Sequence, residues 1–173
     1  MIMKRPESSE HPAYYTHYIS LVKGDNVLKQ LENQVIDIQA IISEIPEEKE
    51  NFAYAPGKWT IKEVLGHIID TERIMAYRAL RFARKDQTHL SGFDENEYVV
   101  NSNYNNRTLY DIAHEFAIVR ESNLALFKHF DEETLSQQGT ANNNEASVRA
   151  ILFMIAGHAN HHLNVIKTKY LMG

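Results

Sequence analysis

Apolar residues recur at steps of three and four in four separate stretches of the chain. After Gly24-Asp25-Asn26 come Leu28, Leu31, Val35, Ile38, Ile42 and Ile45. This spacing lays one seam along a helix and does not suit a strand, whose period is two. Asp25 or Asn26 can cap the free NH groups at the start of this helix, and Pro46 marks its end. The second stretch opens at Thr60-Ile61-Lys62-Glu63, a capping box in which the hydroxyl and the carboxylate each satisfy an exposed NH. It is predicted to run to about Arg84, with Ile61, Leu65, Ile68, Met75, Ala79 and Phe82 on its seam and His67 beside it. A third helix is predicted from Thr108, with Asp111 three residues on, through Leu109, Ile112, Phe116, Val119, Leu126 and Phe130 to near Asp131. In the fourth, Ser147 caps a seam that reads Val148, Ile151, Ile155, His158, His162, Val165. Two histidines therefore occupy core register.

Four long amphipathic segments with no convincing strand alternation predict an all-α fold, a four-helix bundle packed at shallow angles. At 173 residues the chain suits one domain, 1–173, with an N-terminal extension over 1–20. The link from Lys85 to Arg107 (85–107) exceeds the two to eight residues usual between bundle helices. Its segment HLSGFDENEYVVNSNYNN either roofs a site at one bundle end or is a long surface crossover, with a short helix at DENEYV. The stretch from Gln137 to Ala146 reads as a polar turn region. Trp59, the single tryptophan, is favoured as a core plug over a ligand platform.

Composition narrows the function classes. A net charge of −5 with no long run of Lys or Arg argues against a nucleic-acid partner. The absence of cysteine removes disulfides and thiolate ligands, so any metal must be held by nitrogen and oxygen. Neither a signal-like apolar core at the N-terminus nor a membrane-length apolar run is found, and a soluble cytoplasmic protein is the expectation.

The chemistry is concentrated in GHANHHLNVIK. His158 and His162 lie one helical turn apart and can reach one ion. Nine histidines scattered at random in this length would give about 0.4 such pairs, so spacing alone decides little. Position adds weight, because imidazoles on an otherwise apolar seam need partners. A metal is one such partner and a backbone carbonyl is the other. His67 on a second helix supplies a third candidate, and three neutral imidazoles would leave positions open on a divalent ion. His161 projects about 100° from His162 and is the weaker ligand, suited to a packing role or to supporting a ligand from behind. Ala159 follows His158, so the base of an HExxH zincin is missing. Asp70 and Glu72 could orient an imidazole or take a proton, although exposed positions or surface ion pairs are the commoner roles for such residues. His11, His17, His89, His114 and His129 have no matching arrangement and read as solvated or structural.

Taken together, YAPGKWTIKEVLGHIIDTE, GFDENEYV and GHANHHLNVIK closely resemble the DinB/YfiT-like superfamily of four-helix-bundle metalloproteins, over about Tyr15 to Tyr170. The resemblance maps the superfamily's ligand pattern onto His67, His158 and His162. It implies an up-down-down-up bundle, often a homodimer, and by the PGKW entry and FDE loop it is nearest the YfiT-like, thiol-transferase side. It further implies metal-dependent transfer of a low-molecular-weight thiol to an electrophilic small molecule, or metal-dependent hydrolysis.

The preferred expectation is a Zn or Ni ion on the three histidines that favours the thiolate of a cosubstrate, with the electrophile held beneath the Phe93–Tyr98 loop. The alternative is hydrolysis, in which the ion lowers the pKa of bound water to give hydroxide. A third possibility is a non-catalytic metal-binding or interaction module. No catalytic residue beyond the ligands is assigned.

Overall fold

A computed structural model describes residues 3–172; Met1, Ile2 and Gly173, at the ends of the expected 1–173 domain, lie outside the described residues. Four long helices dominate: α2 (Val27–Ser43), α3 (Ile61–Ala83), α5 (Leu109–Phe127) and α7 (Val148–Val165). Shorter ones are α1 (Tyr15–Ser20), α4 (Glu95–Val100) and α6 (Glu132–Ser136). The caps form as the sequence predicts. Asn26 accepts from the Lys29 NH, Thr60 and Glu63 complete both halves of the capping box, and the Thr108 and Ser147 side chains accept from the Asp111 and Ala150 NH groups. Helix α5 ends at Phe127 rather than near Asp131, because Asp131 caps α6 and Phe130 turns inward from the link between them.

The expected absence of strands is corrected. Within the polar stretch before α7, β1 (Gln138–Ala141) and β2 (Asn144–Ser147) pair antiparallel, Gln138 opposite Ser147 and Ala141 opposite Asn144. Asn142 and Asn143 turn the hairpin, both with positive φ (50° and 58°), the backbone sense that suits a two-residue loop between right-twisted strands. Four-residue strands carry too little alternation to stand out, and the signal that marks them is the asparagine pair.

In the bundle α3 packs against α7 and α2 against α5, and the ends that share each apolar cluster make both pairs antiparallel, while α3 lies parallel to α5 and α2 parallel to α7. The order is up-down-down-up. A parallel α3–α5 pair obliges the chain to return the length of α3, about 35 Å, before α5 can begin. The long crossover makes this return and is fastened at both ends. The Leu90 NH donates to the Thr140 carbonyl and the Asn142 NH to the Leu90 carbonyl, each at 2.9 Å, and Tyr104 packs into the gap left by Gly66. A Cβ at Gly66 would lie 2.2 Å from the Tyr104 ring. Within the expected 1–20 extension, α1 lies against α7 at Gly157, where a Cβ would meet the Tyr18 carbonyl oxygen at 1.9 Å.

The core comes in two apolar clusters with a polar stratum between them. One gathers Leu31, Met75, Phe82, Phe127 and Phe153; the other Ile38, Ile61, Leu65, Phe116 and Leu163. Between them Arg120, fully buried, makes a two-pronged bond to Glu72 (2.8 and 2.7 Å) and donates to the Leu31 carbonyl and Gln34 Oε1. Gln34 Nε2 in turn donates to the Ala156 carbonyl and Asn160 Oδ1, both at 2.7 Å. One hydrogen-bonded set thus joins all four long helices.

Removing the carboxylate leaves the guanidinium charge uncompensated inside the bundle, a change that costs about 3–5 kcal/mol in comparable settings. Glu72→Gln is expected to lower unfolding stability by that order in urea titrations. Lys29→Ala, which breaks the exposed Lys29–Glu32 pair, should change it by less than about 0.5 kcal/mol.

Candidate metal centre

Helix α3 begins at a fixed capping box, so its register is set from the first turn, and His67 falls on the second turn facing α7. On α7, His158 and His162 stand one turn apart. Because the two helices are antiparallel neighbours, the three rings converge. His67 Nε2 lies 3.0 Å from His158 Nε2, and His162 Nε2 lies 3.1 Å from the same atom. The three donor atoms all fall within 4.8 Å of one another, and the ring centroids are 4.5–4.8 Å apart.

The fit to a divalent ion follows from donor chemistry. A neutral imidazole carries one ring NH and one lone pair. Three Nε2 atoms gathered this closely cannot all satisfy one another by hydrogen bonds, and His67 and His158 are buried from water. A cation at their focus satisfies all three. The three residues could together hold a divalent ion such as zinc, which takes neutral imidazole nitrogens as ligands. Burial, reinforced by the neighbouring imidazoles, disfavours the protonated rings. It takes His67 down to about 4, His162 to about 3, and His158 well below the ordinary 6.5. All three are therefore neutral near pH 7, the form that binds metal.

Aromatic packing holds the rings. Trp59, half-buried, packs against one apolar cluster as expected and also lies 4.7 Å from His67 between centroids, beside a site histidine. Its carbonyl accepts from the Tyr170 hydroxyl (2.7 Å), which hangs from a π-helical turn, Ile166–Leu171, that continues α7. The close approach of α1 at Gly157 brings the Tyr18 ring within 5.5 Å of His158. The two acidic candidates do other work. Asp70 accepts from the Tyr104 hydroxyl at 3.0 Å, and Glu72 belongs to the Arg120 set. His161 turns away from the triad toward His17, 3.3 Å between ring nitrogens.

Two clefts flank the cluster. One, about 230 Å³, is lined by His67 and His158 together with Thr71, Arg78, Phe93 and Glu95. The other, about 290 Å³, is lined by His162 with Trp59, Lys58, His161 and Asn96. Phe93, Glu95 and Asn96 all belong to the crossover, so of the two readings left open for that segment the structure supports the roof. Sequence reasoning missed Tyr18, Thr71, Arg78 and Asn142 as cleft residues. Thr71 follows His67 by four and Arg78 by eleven, so helical arithmetic along α3 could have found them. Tyr18 and Asn142 arrive only through the docking of α1 and of the hairpin, and no local pattern marks them.

Known proteins resemble this chain in sequence and in fold. A protein of Oceanobacillus iheyensis named "Putative metal-dependent hydrolase OB0413" is 28% identical over 142 residues, 81% of each chain. Among solved structures, YfiT from Bacillus subtilis, described as a probable metal-dependent hydrolase with an unusual four-helix bundle topology, superposes with a TM-score of 0.77. That match covers 98% of this chain and 93% of that one at 13% identity, a likeness of fold. The sequence model of the DinB superfamily matches residues 30–166, a span that contains the four long helices but for the first three residues of α2 and holds all three histidines. The chain belongs to the DinB superfamily.

Proposed function

We propose that the chain is a divalent-metal-dependent enzyme acting on a small molecule, with His67, His158 and His162 as the metal ligands. The observation that carries this reading is the convergence of three neutral imidazole nitrogens, two on buried and one on a half-buried histidine, beside an open cleft. Imidazole donors suit Zn or Ni. When bound, such an ion supplies Lewis acidity and lowers the pKa of a coordinating water or thiol. The protein's own residues supply the rest. Trp59 and Tyr18 pack against the rings, Phe93 on the crossover lines the cleft, and the Glu95 carboxylate on the same lining is available to take a proton from the nucleophile.

Hydrolysis is the first reading, supported by what the two relatives are named for. Transfer of a low-molecular-weight thiol is the second, supported by a specific feature: clefts open on both sides of the histidines, room for a cosubstrate as well as an electrophile. With no cysteine in the chain, the sulfur would come from that cosubstrate.

Three outcomes are expected. Protein purified without a histidine tag and assayed by mass spectrometry should carry about one divalent ion per chain, and His158→Ala should bind it at least about a hundredfold more weakly. Equal, near-zero occupancy in both would overturn the ligand set. Turnover of an activated ester by the metal-loaded protein should proceed without added thiol if water is the nucleophile; a strict thiol requirement with a chlorinated aromatic substrate would decide for transfer. The third concerns pH. The folded-state pKa values of His67 and His162 lie below the ordinary 6.5, so between about 6.5 and about 4 the unfolded chain binds more protons than the folded one. Stability of the metal-free protein must then fall as pH drops through that window. Urea titrations should show a loss of roughly 2 kcal/mol or more from pH 7 to pH 5, and a shallower slope in His67→Ala.

A further inference from the structure

The cleft beside His67 and His158 is lined by a buried cation with no carboxylate at salt-bridge distance among the described residues. Among the described residues four lysine or arginine side chains are buried, and three of them meet a carboxylate. Lys62 pairs with Glu50 at 2.9 Å, Arg120 with Glu72 at 2.7 Å, and Arg149 with Glu10 and Glu132. The fourth, Arg78, is 4% exposed and has no carboxylate within 4 Å among the described residues. It donates to the Ser91 carbonyl at 2.9 Å and toward Met75 Sδ at 3.7 Å, and the Tyr15 hydroxyl lies nearby, all neutral groups. A guanidinium stays protonated whatever its surroundings, so its burial without a carboxylate is costly. A bound anion removes that cost.

A second observation points to the same place. Thr71 Oγ1 is buried without any hydrogen-bond partner, in a residue 3% exposed, and Thr71 lines the same cleft. Buried hydroxyls are normally satisfied, and one that is not marks a place where a partner belongs. Thr71 stands one turn along α3 from His67, about 6 Å in axial rise, and Arg78 about 16 Å along. The Arg78 side chain leans back toward Met75, one turn nearer the histidines, as helical side chains do. Around these two polar groups the lining mixes apolar and aromatic side chains, Met75, Met154, Phe93 and Tyr14, with the polar Asn142. Glu95, also on the lining, is exposed to solvent, where its repulsion of an anion is screened.

We propose that Arg78 and Thr71 form a carboxylate-binding site, and that the molecule taken into this cleft is a small anionic compound with an apolar or aromatic body. Its carboxylate is held on α3 while the rest extends toward His67 and His158. The planar fork of arginine matches a carboxylate geometrically, and the hydroxyl supplies one further donor. This names the substrate class for the metal-centre reading above and rests on it only for what happens at the far end of the molecule.

The test uses the metal-free, full-length chain and 4-fluorobenzoate, whose fluorine resonance reports binding directly, with 4-fluorobenzamide as the uncharged counterpart. Wild type should bind the benzoate saturably and more tightly than the amide. Arg78→Met should weaken benzoate binding by at least about tenfold and Thr71→Val by a few-fold, with amide binding unchanged. Arg78→Lys, which keeps the charge and loses the fork, should fall between wild type and Arg78→Met. Thermal melts establish that each variant folds; if Arg78→Met does not, Thr71→Val and Arg78→Lys carry the comparison. Absence of saturable benzoate binding to wild type, equal affinity for benzoate and amide, or benzoate affinity unchanged in the folded variants overturns the proposal. Since neither metal nor turnover enters the measurement, a chain that binds benzoate but holds no ion refutes the metal-centre reading alone, and a chain that holds the ion but ignores benzoate refutes this one alone.

Discussion

The bond between Arg120 and Glu72 sets the heights at which the helices of this bundle meet. Apolar seams by themselves tolerate sliding, because one isoleucine packs against another at several registers with little difference in energy. A two-pronged ion pair buried from water does not, since displacement by one turn strands a charge. Glu72 fixes α3 against α5, the Leu31 carbonyl and Gln34 bring in α2, and Gln34 passes the constraint to Ala156 and Asn160 on α7. The two apolar clusters above and below supply most of the burial; this stratum chooses among the packings they would allow.

The histidine geometry inherits that choice. His158 lies between Ala156 and Asn160, the two α7 residues held by Gln34, and His67 is five residues before Glu72 on α3. Rings whose donor atoms must meet within a few ångströms cannot be carried on helices free to shift by a turn. A polar network with no role of its own in chemistry is thus what makes the close approach of the Nε2 atoms reproducible. The same stratum explains why Glu72, acidic and near His67 in sequence, is unavailable to orient an imidazole: both of its oxygens are already engaged.

How much of this was legible beforehand depends on the range of each interaction. The long helices, their caps and the pairing of His158 with His162 are local, and local spacing reveals them. His67 could be named a third candidate from its chemistry, but only the family resemblance joined it to the other two, because nothing in the periodicity says which helices are neighbours. The polar stratum was invisible for a physical reason. Gln34, Glu72 and Arg120 look like ordinary solvated residues beside a seam, and only the four-way packing shows that they face inward together. The hairpin escaped because its strands are four residues long, and Arg78 because an unpaired charge is recognisable only once every potential partner has been placed.

The crossover roof is stapled to the hairpin at Leu90 and to α3 at Tyr104, and both fastenings lie outside the stretch that covers the clefts. Changes of length or composition between those staples would reshape the mouth of the site while leaving the charge network and the imidazole cluster where they are. A scaffold built in this way can diversify its ligand preference by loop replacement alone, so chains sharing the three histidines need not share a substrate.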